Sequence, residues 1–299
     1  MNGCGLFHIH FYCLRHLIIN YSTQGRTNFM KVKVISKNNT TQQKSYDPNT
    51  ENVYPDPKTY VISSVQDMDE FSCRFNHYNN YTDNNDFLSE ANSKGDKTVL
   101  RIGDKLKLGD TGEWYVAGFD VEYNQTAADG TMYDNGYGIA LVPVKGVDVE
   151  FWDLDGTTPG GYASSHAHTK ILPRLASDLY DILGGDHLVK RTVLLNNSEK
   201  PYDLSGVWTT AYATLLSIKQ IRGDIDLDKT DATIYDIGEA NYTLPLFDHI
   251  SYKTNSDYWL RGIVNGFGPY ASIITANGAY AFMEPMYKPI DFRPMIYIR

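Results

Sequence analysis

The chain has 299 residues, 42% of them hydrophobic and 21% charged, with a formal net charge of −9. That apolar share can build a sizeable core in one large domain or two ordinary ones, while the acidic balance excludes a broad nucleic-acid footprint, which needs a clustered basic surface against phosphate. Cysteines at 4, 13 and 73 alone allow no more than one intramolecular disulfide, which excludes a disulfide-framed scaffold.

Residues 1–29 differ from the rest: they hold no acidic residue, two of the cysteines, and His8, His10 and His16. The apolar run from Leu6 to Ile19 is broken by His8, His10, Arg15 and His16, too short and polar to span a bilayer. A basic start and a small-residue cleavage site are absent, so no signal peptide is expected. MKVKVISKNN at Met30 reads as a natural beginning, and 1–29 as a non-native upstream extension. His8 and His10 have no further ligands beside them.

Residues 30–97 form a polar N-terminal arm or attachment region, with turn signals at YPDP (54–57) and NNYTDNND (79–86). Within it TYVISSV (59–65) alternates as a strand does. The arm has too little apolar surface to offset its own ordering entropy. At Thr98 the pattern changes, and TVLRIGDKLKLGDTGEWYVAGFDVEYN alternates across Gly/Asp turns as β-hairpins do. YGIALVPV (137–144) is the next strand.

A helical period follows, with Ile171, Leu172, Leu175, Leu179, Ile182 and Leu183 on one face. Ser164 or Ser165 offers the N-cap, Gly184-Gly185 the stop, and Pro173 should kink or divide the element. Strands resume at KRTVLLNN (190–197), ATLLSIKQI (213–221), YWLRGIV (258–264), YASIITANG (270–278) and RPMIYIR (293–299). The block 98–299 therefore reads as one α+β domain on antiparallel sheet with one helical segment, without repeated βαβ alternation.

Signatures of chemistry are few. There is no phosphate loop, G-x-S-x-G elbow or H-E-x-x-H pair. His166 and His168 open a helix, where side chains two apart diverge, so no metal is expected there. Asp224, Asp226 and Asp228 imitate a calcium loop, but Lys229 replaces its glycine and Tyr235 its bidentate glutamate, leaving a solvated acidic loop. Asp153 and Asp155 could do acid/base work, but no partner is identifiable. Neither catalytic residues, metal nor cofactor are expected.

Aromatic material remains. The 23 tyrosines suit a binding surface or a strand-rich core equally. VWTTAYATLL supplies Trp208 and Tyr212, and ANYTLPLFDHI supplies Tyr242 and Phe247. In SDYWLRG, Tyr258 and Leu260 face opposite to Trp259 and Arg261, so one pair should be core and the other displayed. Arg261 reads as an internal brace beside Trp259.

Three motifs stand in order: YWLR (258–261), NG (277–278) and FRP (292–294). With the helix before them, they resemble an uncharacterised C-type-lectin-like domain family of phages and Gram-positive bacterial surface proteins, related in fold to phage tropism determinants. The resemblance covers about residues 98–299. It implies a domain whose N- and C-terminal strands pair and whose loops present a variable face. The calcium-and-sugar motifs of animal C-type lectins are absent, and Cys73 lies outside the domain, so the cysteine nucleophile of formylglycine-generating enzymes has no counterpart.

The expectation is a phage virion protein of receptor-binding or tail-fibre type, not an enzyme, with no membrane insertion. Its arm would attach to other virion proteins, and its lectin-like domain would bind a host-surface glycan or protein. The candidate ligand-binding residues are Trp208, Tyr212, Tyr258, Trp259, Asn265, Tyr270, Asn277 and Tyr280. The alternative is a structural virion component (head-fibre, decoration or connector), with the same domain making subunit contacts in a homo-oligomer. A glycan-cleaving enzyme using Asp153 and Asp155 is a third reading.

Overall fold

Ser64 decides where the first strand stops. Its hydroxyl accepts from the Asp67 N–H while the Asp67 carboxylate accepts from the Ser63 N–H, a reciprocal cap that starts a helix inside the alternating run TYVISSV. The Ser63 N–H and the Ser64 hydroxyl beside it hold the Asp67 carboxyl below its usual range. The computed structural model describes residues 57–75, 100–121, 124–127, 129–136, 138–154, 159–198, 206–223, 234–235, 243–251, 253–264 and 270–299. The extension 1–29, most of the polar arm, Asp155, the acidic loop from Asp224 to Asp231, Tyr242 and Asn265 lie outside the described residues.

In chain order the first elements are β1 (Thr59–Ile62), α1 (Val65–Phe75), β2 (Lys105–Leu108), β3 (Glu113–Phe119), β4 (Asn124–Thr126), β5 (Met132–Asp134), β6 (Ile139–Pro143) and β7 (Val149–Phe151). Then come α2 (Gly161–Ser164), a π-helical turn (Ala167–Ile171) and α3 (Leu172–Leu183). After these stand β8 (Arg191–Asn196), β9 (Gly206–Ala211), β10 (Ala213–Leu215), α4 (Ile218–Arg222), β11 (Ile234–Tyr235) and α5 (Leu246–His249). The chain closes with β12 (Tyr258–Val264), β13 (Tyr270–Ile274), β14 (Tyr280–Pro285), β15 (Pro289–Phe292) and β16 (Pro294–Ile298).

One six-stranded sheet has the order β1-β2-β3-β6-β16-β10, and a second runs β14-β13-β12-β15-β7 with β11 also on β12. β4–β5 and β8–β9 form separate two-stranded ribbons. The pairing is antiparallel except at β1–β2 and β12–β15. The protein is thus mixed α+β, mostly sheet, as the sequence patterning indicates. All described residues belong to one unit, Ser45–Arg299. β1 crosses the boundary drawn at Thr98: it lies on the sheet, and Met68 and Phe71 of α1 are buried in the core.

β16 lies between β6 and β10 and is buried along its whole length, which accounts for its unbroken apolar run. Where the resemblance implies paired terminal strands, the first and last strands of 98–299, β2 and β16, share the first sheet with β3 and β6 between them. Gly138, just before β6, has no room for a side chain: a Cβ there would stand 2.7 Å from the Ile298 carbonyl oxygen and the Tyr297 ring.

Two sequence expectations change in physical detail. ATLLSIKQI is strand only to Leu215, because Ser217 and Gln220 form a capping box that opens α4. Pro173 divides the helical run as its ring requires. It stands in the first turn of α3, where its missing N–H costs nothing, and the π-helical turn precedes it. Ser165 caps that turn by accepting from the His168 N–H. Gly184, at φ 78°, stops α3.

The second sheet is clasped by two indoles. Trp152, just past β7, donates to the Leu260 carbonyl at 2.8 Å, and Trp259 on β12 donates to the Glu150 carbonyl at 3.1 Å. β15 lies between the two strands they join. Arg293 is buried too; its Nε donates to the Pro143 carbonyl, and its guanidinium lies over the Phe247 and Tyr258 rings. The expected split of YWLR into a core pair and a displayed pair does not occur, since Tyr258, Trp259, Leu260 and Arg261 are all buried. β12 is an inner strand, and the Arg261 N–H reaches Leu216 beyond β10, so both of its faces are covered.

Candidate functional site

The β8–β9 ribbon has one covered face and one open face. Its register sets Thr192 opposite Thr210 and Leu194 opposite Trp208, and continuing it places Lys190 by Tyr212. Residues directly opposite in an antiparallel pair share a face. Arg191, Val193, Leu195 and Ala211 are buried on one side, whereas Thr192, Leu194 and Trp208 are half-buried and Lys190 and Thr210 exposed on the other. Trp208 and Thr210 therefore form a row along the open face, and Tyr212, in the bend just past β9, extends it to at most about 13 Å at strand spacing.

Partners from distant segments fix both ends of this row. At one end the Tyr133 ring of β5 lies 4.6 Å from Trp208. Asn135 docks the β4–β5 ribbon there by donating to the Thr192 carbonyl and accepting from its N–H, as a strand would. At the other end the Tyr180 ring of α3 meets Tyr212 edge-on at 6.5 Å, and Lys190 Nζ stands 5.5 Å over the Tyr212 ring. Between α3 and the β9–β10 junction lies a cleft of about 610 Å³, lined among others by His168, Ser177, Tyr180, Lys190, Thr210 and Tyr212.

His168 is the titratable group of this cleft whose state the fold sets. Its ring lies 5.2 Å from the fully buried Tyr162, and burial lowers its pKa from 6.5 to about 4. In the unfolded chain it charges near 6.5. Between those values the unfolded state binds the extra proton, so this contribution is complete above about pH 6.5 and is lost as pH falls toward 4. Urea unfolding of His168→Gln should lose about 3 kcal/mol less stability between pH 7 and pH 4 than the native chain does.

The candidate residues do not form one site. Trp208 lies on β9 and Tyr212 in the bend just past its end. Tyr258 and Trp259 are fully buried, which removes them from any displayed face and makes them framework. Tyr270 and Tyr280 are half-buried at opposite ends of the β13–β14 hairpin in the second sheet, and Asn277 lies exposed in its turn. The Asn277 side chain is used within that turn, accepting from the Thr275 hydroxyl and the Ala279 N–H. Sequence reasoning missed Tyr133, Tyr180, Lys190 and Thr210. The available signal was the period-two pattern of Trp208, Thr210 and Tyr212 facing that of KRTVLLNN.

For acid/base chemistry, Asp153 is nearly buried and accepts from the Leu154 N–H, the residue that follows it. No group of three or more metal-ligating side chains occurs among the described residues. None of the helices among the described residues is long and apolar enough to cross a membrane. Fold and site together define an α+β protein of two main sheets that carries an aromatic ribbon with a cleft at one end. Comparison with protein-family models, curated proteins and solved structures finds no match to the chain.

Proposed function

We propose that this chain is a binding protein displayed on a phage particle, and that the open face of β8–β9 recognises a glycan of the host surface. The observation that carries the reading is the row of Trp208 and Thr210 on β9 and Tyr212 in the bend after it, with Tyr133 against Trp208. Aromatic rings offer flat apolar faces to the C–H side of sugar rings, and hydroxyls at the margin hydrogen-bond their polar edges. A row of up to about 13 Å is longer than one ring and suits a chain of sugars. The virion setting and the lectin-like family are supported by the resemblance at Tyr258–Arg261, Asn277-Gly278 and Phe292–Pro294.

The test is a glycan array and a host-cell pull-down with the full chain. Binding to a defined set of saccharides is the expected result. Absence of binding to any glycan or host surface overturns the proposal, as does a solution oligomer that shields Trp208 from an aqueous fluorescence quencher.

A further inference from the structure

The cleft beside Tyr212 differs from the rest of the molecule in its charge. The chain carries a net −9, yet among the described residues no carboxylate lines this cleft, and Lys190 stands at it. Lys190 makes no ion pair among the described residues; its ammonium rests over the Tyr212 ring at 5.5 Å. Tyr180, Tyr212, Ser177 and Thr210 add hydroxyls to the lining, while Leu172 and Ala176 add apolar surface. About 610 Å³ suits one small ligand rather than a polymer.

His168 also lines the cleft, and its Nδ1 is buried without a hydrogen-bond partner. The cleft thus offers a cation, an imidazole and hydroxyl groups, and no fixed negative charge among the described residues that line it.

We propose that this cleft is a subsite for a single acidic sugar residue, with Lys190 pairing its carboxylate or phosphate and Tyr212 stacking on its ring. This rests on the glycan reading of the ribbon and adds the charge of the residue held at its Tyr212 end. An ammonium–anion contact at a partly open site strengthens binding about tenfold over the uncharged analogue.

The full chain is titrated by calorimetry and saturation-transfer NMR with hexuronates, hexose 6-phosphates and the parent neutral hexoses. At least one acidic series should bind about tenfold more tightly than its neutral parent, and which series does so identifies the anion. Lys190→Gln should bring that series down to the neutral level. Tyr287→Ala, an exposed ring that does not line the cleft, should leave these monosaccharide affinities unchanged. Equal binding of acidic and neutral sugars, or indifference to Lys190→Gln, overturns the subsite. If longer saccharides still bind in a Trp208-dependent way, the ribbon reading survives that result; if no saccharide of any length binds, both fail.

Discussion

Replacing Trp152 by alanine should lower the free energy of unfolding by about 4 kcal/mol, the range expected when a fully buried tryptophan is truncated in a packed core. Trp152 has no exposed surface and sits where several elements meet. Its indole N–H holds the Leu260 carbonyl, its backbone carbonyl accepts from the Ala167 N–H, and its ring lies 5.7 Å from Tyr162. The Tyr162 hydroxyl in turn accepts from the Leu215 N–H on β10, so the contact runs from the second sheet to the first. Truncation would leave a cavity and strip the Leu260 carbonyl of its donor. Trp152→Phe keeps most of the ring volume and loses the hydrogen bond, and should cost about 1–2 kcal/mol. Denaturant unfolding measures both; equal losses for the two variants would show that the indole hydrogen bond, which both lose, outweighs packing at this position.

Trp208→Ala should do the reverse, leaving the fold and removing the function. Trp208 is half-buried on an open ribbon face, so its loss should cost about 1 kcal/mol of stability or less. As the largest ring of the recognition row it should carry a hot-spot share of binding, and affinity for the saccharides identified on the array should fall at least about thirtyfold. Trp208→Phe should keep much of that affinity, because it keeps a stacking face. Tyr280→Ala, on the hairpin of the other sheet, should bind as the native chain does. A thirtyfold loss in Tyr280→Ala with none in Trp208→Ala would move the site to the β13–β14 hairpin.

Local chemistry made part of this fold legible in the sequence. The β2–β3 hairpin, β6, β12 and the Gly184 stop follow from alternation and turn residues, and these hold wherever the element sits. Alternation could not reveal that β12 is an inner strand, because period two separates two faces without saying what covers each. α1 and α4 were hidden for another reason: their caps, Ser64 and Ser217, stand inside runs that also alternate, and the reciprocal side-chain bonds that start each helix outweigh the strand pattern. In the candidate site, Trp208 and Tyr212 were readable because one short stretch of chain, β9 and the bend after it, carries both. Tyr133, Tyr180 and Lys190 reach them from other segments, and only the topology brings those together.

The interior place of β16 has a kinetic consequence. Its neighbours are β6 and β10, and the Ile298–Ile139 pair closes a loop that includes the β8–β9 ribbon, α3 and the whole second sheet. Such distant pairings are slow to form, because loop entropy is lost before the contact forms. Until β16 inserts, β6 and β10 each present an unsatisfied backbone edge, open to pairing with another chain. The hazard for this protein therefore lies in the interval before the last strand docks, when aggregation competes with closure of the first sheet.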